Sequence, residues 1–154
     1  MMKQVIIYAD GACRGNQNQF NLGAYAYYLS CGDKTKSFAK AVPNTTNNRM
    51  ELQSVISALQ ALKPISYNYE IILYSDSQYV VSGYNQWISG WIAKNWVGVK
   101  NPDLWQELLE ETRKFSNLTF KKVAGHADCE GNIKVDKLCN SMMDWYMSTH
   151  EDIK

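Results

Sequence analysis

Four carboxylates, Asp10, Glu51, Asp76 and Asp136, and one imidazole, His126, are the residues whose types and spacing suggest chemistry. Each has a plainer reading. Asp10 ends the apolar run Val5-Ile6-Ile7-Tyr8-Ala9 and opens a Gly-bearing stretch. It reads equally as a turn residue and as a ligand delivered by a buried strand. Asp76 closes "EIILYSD", where Ser75 and Gln78 fit a capping box, so a helix-start role is the better reading of it alone. Glu51, in "TTNNRMEL", fits a cap spacing with Asn48. If the helix starts near Thr45 or Thr46, Glu51 instead lies a turn inside, at the border of an apolar stripe, where a carboxylate needs a partner or a metal. Asp136 falls beside the core stripe of the last helix, between Val135 and Leu138, with Asn132 one turn earlier, and is expected to be partly covered. His126 sits between Gly125 and Gly131 in "AGHADCEGN". A lone surface histidine is usually inert, but ten residues before Asp136 it is placed to carry protons.

Four carboxylates at close range repel one another. They make sense together if divalent cations neutralise them, and hard oxygen ligands suit magnesium or manganese. Two such ions about 3.5–4 Å apart can activate water and stabilise the leaving oxygen of a phosphodiester.

The elements that must position these residues follow from hydrophobic period and turn signals. Residues 3–10 read as a buried strand, "LGAYAYYLS" (22–30) as a second and "KTKSFAKAV" (34–42) as a third, joined by short turns in an antiparallel meander. From about Thr45 to Leu62 the apolar residues Leu52, Val55, Ile56, Leu59 and Leu62 recur at helical spacing, and Pro64 follows. Residues 70–76 form a strand expected to lie parallel to the first. Residues 77–94 read as helical with an interruption at Gly83, and Asn101-Pro102-Asp103 starts a helix running to about Phe115. A last strand (117–125), a loop and a final helix (132–147) complete the pattern. The expected fold is α/β: a mixed five-stranded sheet, three antiparallel strands followed by parallel ones, with helices on both faces. Two of its strands deliver Asp10 and Asp76 at their C-terminal ends, where open α/β sheets bind ligands.

Composition sets the frame. The 154 residues suggest one domain, 1–154, with a tail frayed from about residue 149. With 45% hydrophobic and 20% charged residues, the chain needs no disulfide or structural metal to hold a core. A net charge of +1 means that any polyanionic partner must be met by a local patch. The four cysteines form no CxxC pair, and no signal peptide precedes them; they read as reduced thiols in a cytoplasmic protein. No apolar run is long enough for a membrane span, and a monomer is expected.

Taken together, "YADGACRGN", "TTNNRMEL", "YSDSQYV" and "VAGHADCEGNIKVDKL", with "QWISGW" and "NPDLWQEL", resemble type 1 ribonuclease H of bacterial or phage kind over almost the whole chain. The resemblance implies the ribonuclease H-like fold. It also implies endonucleolytic hydrolysis of the RNA strand of RNA–DNA hybrids, giving 5′-phosphate and 3′-hydroxyl ends. The family's Asp-Glu-Asp-Asp set falls on Asp10, Glu51, Asp76 and Asp136. In the family's scheme of two Mg2+ ions, with Mn2+ as substitute, Asp10 bridges both. Asp136 helps hold the ion that activates water, and Glu51 with Asp76 holds the one on the leaving-group side. His126 assists proton transfer or product release. The backbone of Gly11, Ala12 and Cys13, with Asn16, Asn47, Glu51 and Gln78, is implied to contact the RNA strand through its minor groove. Asn48 and Trp87 are implied to line a groove for the DNA strand, with Thr46 at a phosphate pocket and Asn132 in the substrate-binding set.

Trp87, Trp91 and Trp96 recur at spacings of 4 and 5. Core packing is the better reading for Trp91 and Trp96, and Trp87 is the candidate for a sugar-stacking surface. Two departures stand out. The segment "WIAKNWVGVKNPD" is short and carries only Lys94 and Lys100, where bacterial members often have a long basic handle. The stretch "GNQNQFNLGAY" lacks the usual Gly/Pro-rich loop. Two other readings share parts of the pattern. A DNA-cutting enzyme of integrase or resolvase type is disfavoured by Asn16, Asn47 and Gln78. A binding module without catalysis is disfavoured by the presence of all four acids.

Overall fold

A computed structural model describes residues 3–15, 21–123 and 130–150 of the chain. Its centre is a five-stranded sheet in the order β3-β2-β1-β4-β5. The strands are β1 (Gln4–Arg14), β2 (Leu22–Cys31), β3 (Lys34–Pro43), β4 (Glu70–Ser75) and β5 (Leu118–Lys122). β1, β2 and β3 pair antiparallel, whereas β4 runs parallel to β1 and β5 parallel to β4. The helices are α1 (Asn47–Gln60), α2 (Gln78–Ser82), α3 (Ile88–Ala93), α4 (Pro102–Thr112) and α5 (Glu130–Thr149). A mixed sheet with helices on both faces is the architecture that the sequence pattern predicts.

The period-two alternation explains the two faces. Val5, Ile7 and Ala9 of β1, Ile71 and Leu73 of β4 and Tyr27 of β2 enter one core with Leu52, Val55, Ile56 and Leu59 of α1 and Trp105 and Leu108 of α4. On the other face Ala24 and Ala26 of β2 meet Val135, Cys139 and Met143 of α5. The small alanines let α5 lie close to the sheet, with Tyr28 beside them, while Tyr27 of the same strand points the opposite way into the α1-side core.

Two features differ from the sequence-based expectation. First, β1 does not stop at Asp10 but continues to Arg14. Its parallel pairing with β4 ends at Ala9–Ser75, yet β2 supplies partners from Ala26 opposite Asp10 to Leu22 opposite Arg14. The Gly-bearing stretch is therefore strand, not turn. Second, the cap of α2 is Ser77, whose side chain accepts from the Val80 N–H. Ser75 instead accepts from the Ser77 N–H at 3.1 Å, fixing the turn after β4 rather than closing a capping box. The interruption expected at Gly83 is present, as a π-turn over Gly83–Trp87. A Cβ at Gly83 would strike the Trp105 indole, so the missing side chain is what lets that fully buried ring pack there.

Candidate active site

The approach of β1 to α1 builds the site. The N-cap of α1 is Thr46, whose hydroxyl accepts from the Arg49 N–H at 3.2 Å. The cap spacing of Asn48 with Glu51 is not used, and Glu51 lies a turn inside the helix. Gly11 faces that turn, and a Cβ on it would collide with the Met50 carbonyl carbon and the Glu51 nitrogen. Backbone thus meets backbone, which sets Asp10 beside Glu51. β4, parallel to β1, brings Asp76 to the same end of the sheet. Oxygens of Asp10, Glu51 and Asp76 lie within 4.8 Å of one another.

The electrostatics of this trio are severe. Asp10 and Glu51 are buried, at 4% and 6% exposure. Burial, the Asp76 charge and the Asp136 charge push the Asp10 carboxyl up to about 8, against an opposing hydrogen bond from the Gly11 backbone. Burial, then Asp10 and Asp76, push Glu51 up to about 9. Glu51 Oε2 is buried without a hydrogen-bond partner. A buried, unpartnered carboxylate oxygen facing two further carboxylates is an incomplete electrostatic arrangement, and a hard divalent cation completes it. Oxygen donors of this kind suit such an ion, so the residues present fit the metal that the pattern predicts.

Asp136 differs from expectation: it is exposed rather than partly covered and lies outside the three-residue group. α5 turns Val135 and Cys139 into the sheet, and the next position after Val135 is rotated about 100° away. Asp136 still acts at a distance, because its charge raises Asp10. The Cys139 thiol points at the Asp10 carbonyl at 3.5 Å, and burial pushes its pKa up, leaving it a neutral packing group.

The residues expected to touch substrate surround this trio unevenly. Gly11 is buried, Ala12 and Cys13 are half-buried, and Cys13 Sγ lies 3.6 Å from the Thr45 carbonyl, joining β1 to the start of α1. Thr46, Asn47 and Asn48 are exposed at that helix start. Gln78 is exposed on the first turn of α2, with its amide donating to Ser82 Oγ. Asn132 is buried on α5. Trp87 is 44% exposed, whereas Trp91 and Trp96 pack half-buried against the α1-side core, Trp91 edge-on to Trp105 at 5.0 Å. Asn16 and His126 lie outside the described residues. Sequence reasoning missed Arg49 and Asn101, which hydrogen-bond to each other at 3.2 Å beside this site. Both sit in stretches quoted for their pattern, but neither side chain signalled that the two stretches meet.

Comparison with known proteins agrees with this geometry. A family model described as RNase H matches residues 2–144. The chain is 48% identical over 150 residues to a ribonuclease H of Clostridium botulinum, covering 93% of this chain and 97% of that one. Its fold superposes on LC9-RNase H1, described as a type 1 RNase H with the type 2 active-site motif, with TM-score 0.80 and 27% identity, covering 92% of this chain and 72% of that one. It also superposes on LC11-RNase H1, solved in complex with an RNA/DNA hybrid, with TM-score 0.68 and 22% identity, covering 93% and 99%.

Proposed function

Since the chain belongs to the RNase H family of nucleases, we propose that it hydrolyses the RNA strand of RNA–DNA hybrids to 5′-phosphate and 3′-hydroxyl ends. The observation that carries this reading is the buried trio Asp10, Glu51 and Asp76 with its unpartnered Glu51 oxygen. Asp10, Glu51 and Asp76 would hold divalent metal, two Mg2+ ions with Mn2+ as substitute, and Asp136 would add charge from α5. When bound, the ions supply an activated water and neutralise charge on the leaving oxygen.

The chain's own residues do the rest. The close approach of Gly11 to the Met50–Glu51 backbone sets Asp10 beside Glu51 before substrate arrives. The Gly11–Cys13 backbone, with Asn16, Asn47 and Gln78, reads the RNA strand through its 2′-hydroxyls, which distinguish it from DNA. Asn48, Thr46 and the exposed face of Trp87 receive the DNA strand, and Asn132 completes the substrate set. His126 moves a proton or aids product release. The protein acts as a cytoplasmic monomer. Among the described residues no helix is long and apolar enough to cross a membrane.

Cleavage of a labelled hybrid with Mg2+ or Mn2+ tests this. The native protein cuts the RNA strand, while Asp10→Asn and Asp76→Asn lose at least about 100-fold in rate, the scale expected when charge stabilisation is removed. An intact hybrid, or a variant as active as the native protein, overturns the reading. Equal cutting of single-stranded RNA overturns the hybrid preference.

A further inference from the structure

Three of the sequence stretches meet at residues that take no part in the acid trio. Arg49, in the first turn of α1, forks onto Asp103 in the first turn of α4. Nη1 donates to Oδ1 at 3.1 Å and Nη2 to Oδ2 at 2.8 Å. The same Nη1 donates to Asn101 Oδ1 at 3.2 Å. Asn101 passes the link on, its Nδ2 donating to Tyr79 Oη of α2 at 3.2 Å. That oxygen also accepts from Trp105 Nε1 at 2.9 Å, and the hydroxyl faces the Lys100 carbonyl at 3.5 Å. The starts of α1, α2 and α4 are thus tied by one continuous set of side chains.

The backbone supports the same point. Asn101 is left-handed, at φ 55° and ψ 44°, a conformation that asparagine tolerates better than most residues. It ends the segment that follows the tryptophans. The Arg49–Asp103 pair is half-exposed, with side chains 35% and 62% accessible, and such pairs add little to stability. A bidentate fork is directional, however, and fixes the relative placement of the elements it joins.

We propose that Arg49 is a positioning residue for nucleic-acid binding. Its clasp with Asp103, Asn101 and Tyr79 sets the spacing between the α1 start, which presents Thr46, Asn47 and Asn48, and the segment that presents Trp87. This rests on the hybrid-cleaving reading above. Arg49 touches no reacting atom and acts through the residues it aligns.

Steady-state kinetics on a hybrid test it, with Arg49→Lys, Arg49→Gln, Asp103→Ala and the Arg49→Gln/Asp103→Ala double variant. Each single variant raises KM about tenfold with kcat within about twofold, the signature of lost binding alignment. Lysine fails to rescue, because it keeps the charge but not the fork. The double variant rises no further than the singles, because one interaction is removed twice. A native-like KM for Arg49→Lys assigns the effect to charge alone and overturns the clasp. Multiplying effects in the double variant, or a fall in kcat at constant KM, overturns it as well. If the native protein leaves the hybrid uncut, the functional reading fails and the clasp's role falls with it. If the native protein cuts and the variants match its KM, only the clasp fails.

Discussion

Glu51 carries one buried oxygen without a partner and a carboxyl pushed to about 9, beside Asp10 at about 8. Both bind their proton more tightly folded than unfolded, where carboxyls titrate near about 4. Folding without metal at neutral pH therefore takes up protons. The contribution of these two groups to the stability of the metal-free protein is fully present below about pH 4 and is lost as pH rises to about 9. Thermal melts from pH 5 to 9 in chelator should show this fall, and Mg2+ should flatten it by binding the ionised forms. Glu51→Gln should melt higher than the native protein at pH 8 in chelator while losing cleavage. A variant with the native slope would refute the assignment. At this scale the sequence made the acids legible by type and partnership. Their closeness was not legible, because it depends on a backbone contact between Gly11 and Met50–Glu51 that no side-chain pattern encodes. Asp136 was misread for a related reason: helical rotation past Val135 decides its exposure, and a position bordering an apolar stripe can fall on either side.

Among the elements, the junction of β1 with α1 is the least tolerant. Gly11→Ala places a methyl group against backbone that has no rotamer to change, so a loss of about 3 kcal/mol or more is expected. Gly83→Ala meets the buried Trp105 side chain rather than backbone, so its cost is substantial but should be smaller than that of Gly11→Ala. Urea unfolding midpoints of the two variants check the ranking, and a Gly83 variant weaker than the Gly11 variant would reverse it. Strand and helix order were legible because period two and period 3.6 alternate clearly along the chain. Two boundaries were not. The stretch from Asp10 to Arg14 has turn-like residues but a waiting partner in β2, and pairing prevailed over local preference. The turn after β4 offered two serines as caps, and the backbone chose Ser77, leaving Ser75 to brace it.

For the molecule as a whole, charge is thin where family resemblance leads one to expect a basic handle. Lys94 and Lys100, both exposed, are the only cations between Trp91 and Pro102. Each neutralised phosphate steepens the logarithmic salt dependence of duplex binding by about 0.9, so a slope of magnitude about 5 or less is expected for a hybrid. Titrations between low and physiological salt measure it, and a slope near ten would show that cations elsewhere replace the handle. The segment holding those lysines has one more consequence. Asn95, Trp96 and Gly98 all turn left-handed there, and residues 94–98 lie largely on the surface. The sheet's first four strands and the whole acid trio precede this turn, while α4, β5 and α5 follow it. Opening the chain between Val97 and Gly98 therefore divides the molecule into two complementary pieces, one bearing Asp10, Glu51, Asp76 and α1, the other bearing Asp136 with α4 and α5. Exposed turns of this kind tolerate such breaks. Expressed separately, neither piece should cut a hybrid. Mixed, they should reassemble a nicked enzyme whose activity rises with the concentration of the limiting piece.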